Sequence, residues 1–550
     1  MKTTSILLFS LTASAAFAAP APQFNPQQLS NDIQVLSSDA FEGRAPDSEG
    51  EKITVAFLIE QFKAAGLQPG GDLTDGKRAW TQAVPLGKFQ IKGPVSASMS
   101  VNGKSQALQQ GEQIAIRAAM NGQTEIDIQN APLVFVGYGV NAPERGWDDF
   151  RGLDLKGKIA VVLINDPDFE TGQGEFGGKA MTYYGRWTYK FEEMARRGAA
   201  GTLIVHETAP ASYGWPTVKN SNTNIMFDIV RKDPTKAHAP IEAWIQRDFA
   251  ASLFQQAGLD FEALKRSAQK NDFKPVKLEG VNFSARFSVD AQRIVSQNVA
   301  AILPGSRHPD QFVVYSGHWD HLGVGAADAD GDSIYNGAVD NATGIAAMLE
   351  LARAYGKAPP TERSVLFLAV TAEEKGLLGS EYYASNPLYP LGKTVAMINM
   401  DALAVGGPTR DYTIRGNQKL DLLDQLVETA KQWQMEYTPD PKPETGGFFR
   451  SDHFPLAKRG VPAISYGSGQ DLVDGGIEAG KAVALQYNQQ NYHQPSDEWQ
   501  ADWPLTGLAR DLQVLYTLGR DLADGSDWPN WSVDSEFRQA RDASAKERGQ

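Results

Sequence analysis

Apolar residues along this chain fall into three textures. Between Ser30 and about Leu86, Ile53, Phe57, Leu58, Phe62 and Leu67 recur at helical spacing, and Gly66 supplies a stop, so this block reads as helices and turns. From about Phe89 to Phe287 the pattern shifts to short alternating strands with Gly-rich turns. Apolar runs at 133–136, 159–164 and 201–205 predict strands there, with a short helix at 190–197. From Gln297 onward strands predicted at 312–316, 364–370, 395–400 and 462–466 alternate with helices predicted at 342–355 and 420–432, which is the signature of an α/β layer fold. No internal repeat is visible. Residues 534–550 are polar and charged, and a solvated or frayed end is expected.

The first residues have a different purpose. Lys2 precedes a mostly apolar run from Ile6 to Phe17, and Ala16-Phe17-Ala18 provides the small-x-small cleavage pattern of an export signal. The run is too short for a bilayer, which needs about 20 apolar residues. A secreted or periplasmic protein without a membrane anchor is therefore expected, with the signal at 1–18. Its 550 residues carry 52 Lys and Arg against 66 Asp and Glu, a net charge of −14 that makes nucleic acid an improbable partner. Cysteine is absent, which excludes disulfides, thiolate metal sites and a cysteine nucleophile.

The candidate chemistry sits at the ends of the later strands. The run ending at Gly317 is followed by His318, Trp319, Asp320 and His321; the run ending at Val370 by Thr371, Ala372, Glu373 and Glu374; and the run ending at Met400 by Asp401. Ligands gather at the carboxyl ends of strands in open α/β sheets, so these groups should converge. Asp340 precedes the 342–355 helix. Asp340 or Asn341 could simply cap that helix, and the Glu pair could be a solvated helix start, but capping does not explain acids and imidazoles at three strand ends at once. So many carboxylates in one place call for cations. Imidazole and carboxylate donors without thiolate suit Zn²⁺ and tolerate Mn²⁺ or Co²⁺, and the inventory is too rich for a single catalytic zinc with its three protein ligands. His318, Asp340, Glu374 and Asp401 with one late His would serve two ions about 3.5–4 Å apart. His493 is the stronger candidate for that His and His453 the competitor. Glu373, beside Glu374, could move protons, and Asp320 could accept the second ring N–H of His318.

The strings His318 to Gly323, Asn336 to Gly344, Thr371 to Ser380, Ile398 to Asp401 and Tyr492 to Asp497 resemble the co-catalytic zinc exopeptidases, a family with secreted bacterial aminopeptidases, yeast aminopeptidase Y and glutamate carboxypeptidase. The resemblance implies a mixed sheet flanked by helices, interrupted by a mostly β protease-associated domain that the strings at 136–140, 155–162 and 197–201 resemble. The expected parts are a first catalytic segment at 19–119, the insertion at 120–284 and a second catalytic segment at 285–533. The same resemblance makes Asp340 the bridge between two zinc ions, with His318 and Asp401 completing one site and Glu374 and His493 the other. Glu373 becomes the general base, Asp320 orients His318, Tyr492 stabilises the oxyanion, and the Asp340–Asn341 bond is cis. Arg450, in the string Phe449 to Phe454, becomes a substrate-site candidate. The implied activity is hydrolysis of the amino-terminal bond of peptide or protein chains by a hydroxide bridging the zinc ions. A carboxypeptidase or dipeptidase of the family is the alternative, and a metal-free binding protein on the same fold is the alternative of another class. Glutaminyl cyclase, which uses one zinc, is disfavoured by the presence of His318.

Three further patterns fail as motifs. Asp328, Asp330 and Asp332 suggest a calcium loop, but Ser333 and Val339 stand where Gly and Glu are needed. Ser451, Asp452 and His453 are adjacent, which is not triad geometry. Gly467-Ser468-Gly469 lacks a nucleophile-elbow pattern.

Overall fold

The computed structural model describes residues 22–550; the 1–18 segment read as an export signal lies outside the described residues. The main strands, in chain order, are β1 (Thr81–Val101), β2 (Glu125–Phe135), β3 (Ile159–Leu163), β4 (Gly201–His206), β5 (Ile241–Gln246), β6 (Val276–Leu303), β7 (His308–His318), β8 (Arg363–Val370), β9 (Thr394–Met400) and β10 (Ala463–Ser468). They hydrogen-bond into one sheet in the order β10-β9-β7-β8-β6-β2-β3-β4-β5. Strands β8, β7, β9 and β10 run parallel to their neighbours, whereas β6 is antiparallel to β8. The sheet is therefore mixed, and helices flank it.

The parallel strands are apolar for a physical reason. Every residue of β8 and β9 is buried, as expected for strands covered on both faces. Helix Gly344–Lys357 packs against β7, β8 and β9 and against helices Pro26–Leu36, Glu49–Ala64 and Thr506–Asp524. Because β7, β8 and β9 point the same way, their carboxyl ends lie side by side, with His318 opposite Val370 and Ser316 opposite Asn399. Neighbouring strands are about 4.8 Å apart, so three loops from three strand ends share one small volume.

Two strands differ from expectation. The middle of the chain was expected to hold short strands, yet β1 has 21 residues and β6 has 28. They pair antiparallel from Val281 opposite Val101 to Val299 opposite Thr81. β6 also pairs with β2 through residues 276–288 and with β8 through residues 299–303, so the sheet passes without a break from one half of the molecule to the other. The boundary expected at 284/285 falls inside this strand. Burial alternates through that position, so nothing in the pattern of residues marks a change. Around β2, β3, β4 and β5 the second half carries its own core and helices, among them Trp187–Arg196 and Arg247–Gln256.

The carboxyl-terminal residues are not frayed. Helix Arg538–Ala543 docks on the start of β9, where the buried Arg541 guanidinium donates to the carbonyls of Thr394, Val395 and Pro529. Phe537 lies against Phe448 and Trp531, with ring centroids 5.7 and 5.0 Å away. A charged stretch is thus held by one arginine acting as a backbone donor, a use that composition does not reveal. Arg541→Ala should cost about 2–4 kcal/mol by leaving three carbonyls short of a donor. A thermal melt reads this directly; an unchanged midpoint would mean that the tail is not docked.

Candidate metal centre

Each candidate ligand is placed by a strand end or a helix end. His318 is the last residue of β7, Asp401 follows β9, and Glu373 and Glu374 occupy the turn after β8. Asp340 precedes helix Gly344–Lys357, and its peptide bond to Asn341 is cis. His493 lies three residues beyond helix Gly476–Gln490.

The structure brings all five predicted ligands together. Nε2 of His318 is 3.2 Å from Oδ1 of Asp340 and 3.5 Å from Oδ1 of Asp401. Nε2 of His493 is 3.3 Å from Oδ2 of Asp340 and 3.2 Å from Oε2 of Glu374. Asp340 therefore turns one oxygen to each imidazole, and each imidazole has a further acid of its own. Donor atoms of His318, Asp340 and Glu374, and again of His318, Glu373 and Asp401, lie within 4.8 Å of one another. His453, the competitor to His493, is elsewhere in the core, with neither ring nitrogen hydrogen-bonded.

These residues fit divalent cations. Oδ1 of Asp340 is buried without a hydrogen-bond partner, and every donor is nitrogen or oxygen. Burial alone would lower the His318 imidazole, but Glu373, Asp340 and Asp401 outweigh it and push it well above its ordinary value. His493 is likewise pushed up to about 10 by Asp340 and Glu374 against the effect of burial. Both rings are thus driven to hold positive charge, the place that a metal ion takes. Against a burial that would raise it, Asp401 is held below the usual carboxylate range by Arg415 and His318.

A supporting shell fixes the ligands. Nδ2 of Asn341 donates to the carbonyls of His318 (3.3 Å) and Met400 (3.1 Å), while its Oδ1 accepts from the N–H groups of Gly344 and Ala402. Asn341, not Asp340, thus supplies the helix-capping bond and leaves Asp340 to the centre. The carboxylate of Asp497 accepts from the N–H groups of Val339 and Asp340. The buried Arg44 donates to the carbonyls of Leu36, Trp319, Asn336 and Gly337.

Asp320 differs in detail from expectation. His318 Nδ1 is 3.1 Å from the backbone carbonyl of Asp320, while the nearer carboxylate oxygen is 3.9 Å away. That carboxylate accepts instead from the N–H groups of Glu373 and Glu374. Asp320 holds the imidazole through its main chain and shapes the Glu turn through its side chain.

Three contacts were not foreseen. Nδ1 of the buried His321 is 2.7 Å from Oε1 of Glu374. The Ser451 hydroxyl donates to Oδ2 of Asp401 at 2.6 Å. Arg415 donates to the Asp401 carbonyl at 2.9 Å. His321 was visible in the string after β7, whereas Arg415 has no local signal. Tyr492 stacks on His493 with centroids 3.9 Å apart. It lines a cavity of about 500 Å³ together with Asp340, Glu373, Asp401, Arg415 and Arg450.

Residues 298–517 match the model of peptidase family M28. That match runs from the end of β6 into helix Thr506–Asp524 and takes in all five candidate ligands. Among curated proteins, a probable zinc metalloprotease of Pyrenophora tritici-repentis is 33% identical over 187 residues, 33% of this chain and 39% of that protein. Leupeptin-inactivating enzyme 1 of Streptomyces exfoliatus is 28% identical over 214 residues, 38% of this chain and 44% of that protein. The matches thus span less than half the length of these relatives. Among solved structures, an aminopeptidase from Aneurinibacillus sp. strain AM-1 aligns with a TM-score of 0.48 and 18% identity over 91% of this chain and 94% of that chain.

Within the matched region, His321 should matter through Glu374. His321→Ala should weaken zinc binding roughly 10- to 100-fold, as removal of outer partners does, with the fold intact. Calorimetric titration of zinc into the chelator-stripped protein measures this; unchanged affinity would show that His321 does not support Glu374.

Proposed function

We propose that the protein is a secreted or periplasmic metal-dependent exopeptidase that acts as an aminopeptidase on peptide chain ends. The observation carrying this reading is the Asp340 carboxylate, with one oxygen toward His318 and Asp401 and the other toward His493 and Glu374. Two zinc ions would polarise the scissile carbonyl and acidify the attacking water. His318 and Asp401 would hold one ion, Glu374 and His493 the other, and Asp340 both.

The chain's own residues then divide the remaining work. Burial, reinforced by Glu374, Asp401 and Asp452 and opposed by His318, pushes the Glu373 carboxyl well above its ordinary value. A carboxylate so disposed takes a proton from water and returns it to the leaving amine. Partial desolvation and the neighbouring Asp340, Glu374, Glu373 and Asp401 keep the phenol of the exposed Tyr492 protonated, so it can donate to a developing oxyanion. Asp340, Glu373 and Asp401 give the cavity an acidic wall that suits a terminal ammonium. Arg415 and Arg450 line the same cavity and favour a second reading, a carboxypeptidase or dipeptidase. A metal-free binding protein would have no use for five assembled ligands.

Peptides with blocked amino ends, blocked carboxyl ends or both ends free test the reading. Cleavage of the carboxyl-blocked set with refusal of the amino-blocked set is expected; the reverse would establish a carboxypeptidase, and cleavage of free peptides alone a dipeptidase. Elemental analysis should find about two zinc ions per chain, and chelation should abolish hydrolysis until zinc is restored. Glu373→Gln should keep the metal and lower kcat roughly 100- to 10,000-fold; undiminished turnover would remove Glu373 as the base.

A further inference from the structure

The two imidazoles of the metal centre are seated very differently. His318 ends the buried part of β7 and exposes 1% of its side chain, whereas His493 exposes 34%. The backbone of His493 is also left-handed (φ 59°), a conformation that a residue other than glycine keeps only where its surroundings impose it. Burial does not fix this ring, so other contacts must set where His493 and its neighbour Tyr492 stand.

The helix before them supplies little burial of its own. Of the 15 residues of Gly476–Gln490 only Gly480 is buried, and Ile477, Val483 and Leu485 are exposed. Gly476, Gly480, Ala484 and Tyr487 recur at helical spacing along its less exposed side. The first three are small, and a Cβ on Gly480 would stand 2.0 Å from the Gln470 carbonyl oxygen. The helix therefore lies close to the body but makes few apolar contacts with it. Tyr487 is the large member of this stripe and stands at the end nearest the metal centre.

Tyr487 is tied at both ends. Its carbonyl accepts from the N–H groups of Asn491 and Tyr492, each at 2.9 Å, which closes the turn that carries Tyr492. Its hydroxyl donates to Oδ2 of Asp497 at 3.2 Å. That same oxygen accepts the N–H of Asp340 at 3.1 Å, and Oδ1 accepts the N–H of Val339 at 3.0 Å. Between Tyr487 and Asp497 the loop is closed on itself, with the Ser496 hydroxyl donating to the Gln490 carbonyl at 2.6 Å and the Asn491 amide to the Ser496 carbonyl at 2.7 Å. Tyr492 meets Tyr487 edge-on, with centroids 6.1 Å apart, and stacks on His493. One side chain thus joins the turn presenting Tyr492 and His493 to the backbone of Asp340, the residue that both ions would share.

We propose that Tyr487 is a positioning residue, whose hydroxyl braces the Tyr492–His493 turn against Asp497 and so sets the seat of His493 beside Asp340 and the aim of the Tyr492 phenol. The part concerning Tyr492 rests on the exopeptidase reading; the part concerning His493 rests on the metal centre alone. The brace is one-sided. The ion held by Glu374 and His493 depends on Tyr487, and the ion held by His318 and Asp401 does not.

Tyr487→Phe removes the hydroxyl and keeps the ring. Zinc is titrated by calorimetry into the chelator-stripped, full-length wild type and variant, with His493→Ala identifying the binding step that belongs to His493. That step should weaken roughly 10- to 100-fold in Tyr487→Phe while the other stays unchanged. At saturating zinc, kcat on a carboxyl-blocked peptide should fall roughly 10-fold with KM unchanged, the size of one lost hydrogen bond. In a Tyr492→Phe background the same substitution should change kcat by a factor near one, because no phenol is left to aim. Zinc steps that are both unchanged, or both weakened alike, overturn the proposal. A kcat loss that persists undiminished in the Tyr492→Phe background overturns the aiming of the phenol. Failure of the wild type to hydrolyse any peptide, with the one-sided zinc effect intact, would overturn the exopeptidase reading and leave the bracing of His493 standing.

Discussion

Carboxylate repulsion at the ends of three parallel strands is the constraint around which residues 298–517 are organised. Two unit charges 4 Å apart repel by roughly 4 kcal/mol at an effective dielectric of 20. Asp340 with Glu374, and Glu373 with Asp401, bring oxygens within 4.8 Å of each other, so two unneutralised pairs would already rival the net stability of a typical domain, about 5–15 kcal/mol. His318 and His493 are driven to carry positive charge, and Asp340 stands between them. Cations in the midst of the cluster would relieve that repulsion, which links metal binding to stability.

The surrounding contacts keep this arrangement narrow. Asn341 ties the ends of β7 and β9 to the start of the next helix, Asp497 grips the backbone of Asp340, and Arg44 gathers four carbonyls from three segments. Arg44 sits near Asp497, Asp320, Asp340 and Glu374, so one buried guanidinium both satisfies the main chain and offsets part of the negative field. The shared strand β6 carries the sheet on to the half built on β2 to β5, whose residues line the same cleft as Glu373, Glu374 and His493.

Some of this was legible in local text because the physics involved is local. Parallel strands buried on both faces must be apolar throughout, so β7, β8, β9 and β10 stood out as runs, with boundaries moved by a few residues. His318, Glu373, Glu374 and Asp401 were legible because strand ends in such a sheet are where polar groups emerge, whereas Asp340 and His493 stand beside helices and were singled out by their surrounding strings. The docked tail was not legible, since Arg541 works on carbonyls of distant residues and its charge reads as solvation. Nor was the length of β6, because alternating burial continues across the expected boundary. His321 and Arg415 escaped for a related reason: each acts through a ligand contributed by another segment, and pairing across 53 or 14 positions leaves no spacing to read.

By itself, then, the order of residues determined the layer architecture and the acids and imidazoles at the ends of β7, β8 and β9, since periodicity and strand-end chemistry depend on near neighbours. Only the tertiary structure decided which oxygen of Asp340 meets which imidazole and that Asp320 grips His318 by its carbonyl. Those facts are set by how separate segments are aimed at one another in space, and a linear pattern does not carry that aim.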